Sequence, residues 1–415
     1  MKKILYAITI ALGLSSVGIN ADEVDSKALF TELTGKVDRG GDMLIYSDGS
    51  TIREKFLQFN EIAFKFFNKE FFEALNLDVS SEEAKAMAQS FMEQMPQNYM
   101  LGYAFSSKLI EKSGDKNVYI YKNAQKFSDG VEQVGLYKML NFKDNGEFNI
   151  VKYAPQNSMF LFELSINGAG LYDFIQWCVE NKFNGSLMET ETSLIGDNNE
   201  VDIAALLASV DGRLGVYAAP ITAKDGKTLC QVAIMLPDND GALKKMVADK
   251  AVTVIPELEA GDLVKLSETR FAVADSDGKT DQPYCLTIYT GLDKYLILGV
   301  NLNDEFRVLP AEAQIFSNAS NQALFKDMPR TGIELVYLNL NGPMIDKMLS
   351  DAGISEGVTS TIFTESDFAN LPFYMVACDG VSSVGKGYLS PVDYVLSMGE
   401  VMLKKLPLVF NTYFN

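Results

Sequence analysis

The segment DGVSSVGKGYLS, residues 379–390, concentrates the residue types that could do chemistry. Gly380, Gly385 and Lys386 match G-x-x-x-x-G-K-[ST], in which a glycine-rich backbone and a lysine cradle phosphates. Gly387 stands where the magnesium-binding hydroxyl is required, and Pro391 leaves little room for the helix whose N-terminus would hold phosphate. Ser383-x-x-Lys386 also has the spacing of a Ser–Lys dyad, which Ser81 and Lys85 repeat loosely. Neither is accompanied by the S-D-N and K-T-G motifs of penicillin-binding enzymes. A Gly-Lys pair at a tight hairpin turn explains Gly385-Lys386 without a nucleotide.

The chain has no histidine, which excludes Ser-His-Asp and Cys-His catalysis and zinc sites that need imidazole. A carboxylate pair remains available for hydrolysis, but 55 acidic residues supply such pairs by chance. Asp275, Asp277 and Asp281 surround Gly278, and Asp238 and Asp240 lie in LPDNDG, oxygen-rich loops of a kind that can hold calcium. They lack the ligand spacing of an EF-hand and read as turns between strands. Neither a metal nor a cofactor is expected. Cys178, Cys230, Cys285 and Cys378 include no C-x-x-C pair; Cys230 and Cys285, both mid-strand, are the first candidates for a disulfide, with buried free thiols as the alternative.

Two further features could be sites or plain core. The segment REKFLQFNEIAFKFFNKEFFEAL places Phe56, Phe59, Phe66 and Phe67 on one side of a helix, either covering a sheet or forming a docking surface. Trp177, the single tryptophan, reads as packing. The Asn-x-Ser sites at Asn184 and Asn318 matter only in a glycosylating host.

Compartment and partners follow from the termini and charge. Lys2 and Lys3 precede an apolar run from Ile4 to Val17, and Ile19-Asn20-Ala21 suits cleavage, so residues 1–21 read as a signal peptide. The mature chain is expected to be exported, periplasmic or extracellular, without a transmembrane helix. The formal net charge of −19 repels nucleic acid.

The elements that would position these residues recur. PQNSMFLFELSINGAGLYDFI from Pro155 aligns without gaps to PRTGIELVYLNLNGPMIDKML from Pro329, matching Leu164 with Leu338 and Asn167-Gly168 with Asn341-Gly342. Asp48-Gly49 marks a weaker, earlier copy. Each reads as a strand, an amphipathic helix started by the Asn or Asp, then a second strand and a hairpin. The boundaries implied are residues 22–154, an enlarged unit at 155–328, and a shortened unit at 329–415 with a C-terminal helix. The fold expected is α+β: antiparallel sheets with amphipathic helices packed on a face, built from two to three diverged repeats.

Residues 286–349, through YLILGVNLNDEFRVL, FKDMP and IELVYLNLNGPMIDKML, resemble an uncharacterised domain family of exported bacterial proteins. The resemblance implies export and fold and carries no activity. The function expected is therefore an exported, non-enzymatic binding or structural protein with an unknown protein or small-molecule partner. The alternative is a histidine-free hydrolase using a carboxylate pair or Ser383 with Lys386.

Overall fold

A computed structural model of the chain describes residues 26–49, 99–131, 135–180, 209–223, 225–251, 261–275, 277–280, 282, 284–302, 306–339, 342–351, 372–394 and 396–397. The phenylalanine-rich segment, Ser81, Lys85, Asn184 and Asp281 lie outside the described residues, as do the side chains of Trp177 and Cys178.

The strands are β1 (Met43–Asp48), β2 (Met100–Ser113), β3 (Lys116–Phe127), β4 (Phe160–Ile166), β5 (Gly212–Thr222), β6 (Thr228–Pro237), β7 (Leu263–Lys265), β8 (Arg270–Val273), β9 (Leu286–Tyr289), β10 (Tyr295–Val300), β11 (Glu334–Leu338), β12 (Phe373–Ala377) and β13 (Ser382–Gly387). They form one sheet in the order β1-β2-β3-β13-β12-β11-β4-β5-β6-β10-β9-β8-β7, with every neighbouring pair antiparallel. The helices are α1 (Ser26–Gly35), α2 (Gly135–Lys138), α3 (Gly168–Glu180), α4 (Ala242–Lys250), α5 (Gln322–Phe325) and α6 (Gly342–Asp351).

This corrects the α+β expectation. The described chain is mostly a single 13-stranded antiparallel sheet with few, short helices, not several sheets each backed by amphipathic helices. The reason lies in what covers the sheet. Leu161, Tyr217, Met235, Ile297, Leu335, Tyr337, Tyr374 and Val376 face one side, here called face A. The covering residues there, Phe148, Ile150, Ala154, Ile315, Leu324 and Phe325, come from loops, single 3-10 turns and the one-turn α5. Irregular chain can bury apolar side chains as a helix does, provided its backbone groups find partners. Here they do: Ile315 N–H donates to Ala154 O, and Phe148 N–H to Arg330 O.

Alternation puts neighbouring residues of a strand on opposite faces. Ile297 joins the core on face A, while Leu296 joins Val210, Leu243, Val247, Phe271 and Ile288 on face B, under α4. At the other end, Leu29 and Leu33 of α1 pack on Ala104 and Ala124. Gly102 permits that approach, because a Cβ there would stand 2.9 Å from both leucine side chains.

The two segments aligned in sequence lie side by side. β4 leads into α3 and β11 into α6, and the two strands pair antiparallel, with Phe160 opposite Leu338 and Leu164 opposite Glu334. Each is flanked by its own hairpin, β5–β6 on one side and β12–β13 on the other. Asn167 Oδ1 accepts the Gly170 N–H at 3.3 Å and so caps α3.

Candidate functional site

The segment that resembles a phosphate loop is a strand in the middle of the sheet. The turn after β12 occupies residues 378–381, so Gly385-Lys386 sits within β13 rather than at the hairpin tip. Gly385 pairs with Tyr121 on one side and Met375 on the other. Strand backbone N–H groups committed to neighbours cannot cradle phosphate.

Ser383 and Lys386 are three residues apart on one strand, so their side chains leave opposite faces. Ser383 opens onto face B. Lys386 is 4% exposed on face A, where Nζ donates to Lys326 O at 2.6 Å and Ala323 O at 3.4 Å. These carbonyls lie at and just past the end of α5, so the ammonium caps a helix C-terminus. Burial pushes the Lys386 pKa down, partly offset by Asp327 and Glu111. No proton can pass between this serine and this lysine.

Two carboxylates on face A, Glu163 and Asp144, are committed to structural contacts. Glu163 is fully buried on face A, and its oxygens accept the N–H groups of Ile150 at 2.6 Å and Asn149 at 3.0 Å. Arg213, itself buried, donates from Nη1 to Glu163 at 3.4 Å and from Nη2 to Asp144 Oδ1, Asp144 O and Gly332 O. Burial raises the Glu163 pKa against the pull of those donors. For Asp144, burial also acts upward, but hydrogen bonds from Ser165, Gly146 and Arg213 outweigh it and hold the carboxyl below its usual range. This cluster ties the 144–150 loop to β4 and β5. Glu334, its pKa raised by burial, projects from the other face of the sheet, because it pairs with Leu164 rather than Glu163.

The aspartate loops are satisfied as turns. Asp275 Oδ1 accepts the N–H groups of Asp277 and Lys279, and Asp238 caps α4 through the N–H groups of Leu243 and Lys244. Among the described residues no cluster has the makeup of a metal site. Cys230 and Cys285 both carry free thiols. Their sulfurs lie against Gln231 O at 3.8 Å and Lys279 O at 3.6 Å. The Asn318 side chain donates to Gln156 O and accepts from Ser320 N–H.

What the sheet does build is an apolar cleft on face B, about 430 Å³ in volume, over β2, β3, β13, β12 and β11. Its walls include Phe105, Tyr121, Leu338, Phe373, Met375 and Tyr394, and among the described residues none that lines it is charged. The two strand glycines make room. A Cβ on Gly385 would stand 3.3 Å from the Phe373 ring, and one on Gly387 would stand 2.7 Å from the Tyr121 hydroxyl, so both rings lie across bare backbone. The rings form a chain: Phe105 stacks on Tyr121 at 6.4 Å, Tyr121 meets Phe373 at 5.9 Å, and Phe373 meets Tyr394 at 6.3 Å.

The polar groups of the cleft are largely occupied. Tyr121 donates its hydroxyl to Leu389 O, and Asn123 Oδ1 accepts the Ser383 N–H at 3.0 Å. Burial raises the Tyr121 pKa and pushes that of Tyr394 up to about 12. Tyr394 is placed by a helical turn that starts at Pro391, where proline's missing N–H costs nothing. Ser390 caps it, accepting the Asp393 N–H at 3.2 Å and donating to Asp393 Oδ2 at 2.6 Å.

The sequence singled out Ser383 as half of a dyad that the strand does not bring together, and it did not point to the aromatic walls. The available signal was the pair Gly385 and Gly387 on one face of β13, since glycine inside a strand marks a close approach. The sequence matches no protein-family model and no curated protein, and the fold matches no solved structure. Among the described residues no helix is long and apolar enough to cross a membrane.

Proposed function

We propose that this is an exported, non-enzymatic binding protein whose face B cleft takes an uncharged apolar ligand. The observation that carries the reading is the cleft lining, which among the described residues is mostly aromatic and aliphatic, with Asn123 and Ser383 polar and no charged side chain. A carboxylate or ammonium entering it would lose hydration without a partner, which costs several kcal/mol, roughly. An uncharged apolar group gains about 25 cal/mol for each Å² it buries. The volume falls within the range of small-ligand sites.

Export rests on the leader-like residues 1–21. We further propose that the β4-α3-β5-β6 and β11-α6-β12-β13 units are diverged copies, related by an approximate two-fold between β4 and β11. On this reading the cleft belongs to the side of the second copy, where Gly385 and Gly387 replace bulk.

The test is a fluorescence titration of the mature chain with N-phenyl-1-naphthylamine, an uncharged probe. Saturable binding is expected, weakened at least about tenfold in Ser383→Phe, which fills the cleft without removing a side-chain bond. Undiminished binding by that variant, or none by the natural chain, would overturn the reading.

A further inference from the structure

A second recess lies on face A, about 570 Å³ in volume, between the loops after the 3-10 turn Ile150–Lys152 and after β10. Tyr217 from β5 and Gln231 from β6 contribute to its lining and are nearly fully buried, at 3% and 4% exposed. The Tyr217 hydroxyl donates to Gln231 Oε1 at 3.2 Å, and Gln231 Nε2 donates to Asn301 O at 3.3 Å. A carboxamide has two N–H donors and two acceptor lone pairs. Among the described residues, Gln231 therefore keeps one donor and one acceptor unspent, at a depth where unmade hydrogen bonds are costly. The hydroxyl oxygen of Tyr217 can accept as well, and Asn157, whose Nδ2 is held by Pro220 O, presents its Oδ1.

Ring faces line the same space. Phe306 stacks on Tyr153 with centroids 5.1 Å apart and planes 13° from parallel, and on Tyr217 at 6.4 Å and 16°. Paired donor and acceptor groups beside flat aromatic faces match a ligand whose rim both donates and accepts while its faces are apolar. A sugar ring has this character. An extended peptide is a poorer match, because peptides usually dock by pairing with a free strand edge. Here β6 is paired on both sides, with β5 and β10. Arg307 is exposed at the rim, where solvent screens its charge.

We propose that this recess is a binding site for an uncharged polyhydroxylated ring, either a free sugar or the end of a glycan. It lies across the sheet from the apolar cleft and does not depend on that reading. Gln231 is the principal hydrogen-bonding residue, and Tyr153 supplies the accessible ring face.

The test is saturation-transfer NMR and calorimetry on the mature chain. The probes are glucose, galactose, N-acetylglucosamine, maltotriose, chitotriose and trialanine. Saturable binding of at least one sugar is expected. Tighter binding of a trisaccharide than of its monosaccharide identifies a glycan end, and equal affinity identifies a free sugar. Gln231→Met should weaken binding about tenfold or more, the worth of one to two hydrogen bonds. Tyr153→Ala, at a half-buried loop position, should weaken it too and serves if the first variant unfolds. No sugar binding, binding of trialanine in place of sugars, or full affinity in a folded variant would overturn the proposal.

Discussion

Replacing Arg213 with methionine should expose how the core of face A is held. The guanidinium makes four hydrogen bonds, to Glu163 at 3.4 Å, Asp144 O at 3.1 Å, Asp144 Oδ1 at 3.0 Å and Gly332 O at 2.9 Å. Methionine keeps much of the volume and none of the donors. Breaking a buried ion pair by removing one partner costs about 3–5 kcal/mol. The long contact to Glu163, and its two backbone donors, place this case near the lower end, at about 3 kcal/mol. Urea unfolding followed by circular dichroism would read the loss. Its pH dependence is a second check. A carboxyl whose folded pKa is raised contributes stability below its unfolded value, about 4.3, and loses it as pH rises toward the folded value. Burial already raises the Glu163 pKa, and removing Arg213 raises it further, so the deficit should grow from pH 4 to pH 7. Adding Glu163→Leu should recover most of the loss, since an apolar pair of similar volume is tolerated where an unpaired charge is not. A loss below about 1 kcal/mol, the value of an exposed ion pair, would refute the reasoning.

Other consequences follow from the same contacts. Lys386→Met should cost about 1–3 kcal/mol in thermal unfolding, because it strips donors from the Ala323 and Lys326 carbonyls; a neutral result would mean that water serves them as well. Ser390→Ala removes the cap of the turn that carries Tyr394, with an expected loss of about 1 kcal/mol and weaker probe binding in the cleft; unchanged binding would detach that turn from the site. Burial raises the pKa values of Tyr121, Tyr217, Tyr337 and Tyr374 in the folded protein, so their contribution to stability is present below the unfolded value of about 10 and is lost as pH rises above it. Tyrosinate absorbance should therefore reach full amplitude only as circular dichroism is lost, and full ionisation with the fold intact would contradict this.

Much of the strand content was legible. The run GRLGVYAAPI lies in β5, NYMLGYAFSSKLI overlaps most of β2, LPFYMVACDG spans β12, and the helix at GALKKMVADKA contains α4. Alternation and turn residues are local signals, and the structure repeats them locally. The single sheet was not legible, because its order depends on pairings between distant segments, such as β3 with β13 and β4 with β11. The cover of face A was misjudged for a related reason. Loops around Phe148 and Phe325 bury apolar residues without periodicity, so no pattern announces them. At the site, Gly385-Lys386 read as a turn because glycine is commoner there than within strands. Only the register, which lays Tyr121 beside Gly385 and Phe373 beside Gly387, shows that these glycines admit rings.

The most direct measurement of the central claim is methyl NMR of the mature chain with labelled methionines, titrated with N-phenyl-1-naphthylamine. Met375 lines the face B cleft, whereas Met235 is buried on face A. A saturable shift of the Met375 methyl is expected while Met235 stays in place. A shift confined to Met235, or no saturable shift at Met375, would contradict it.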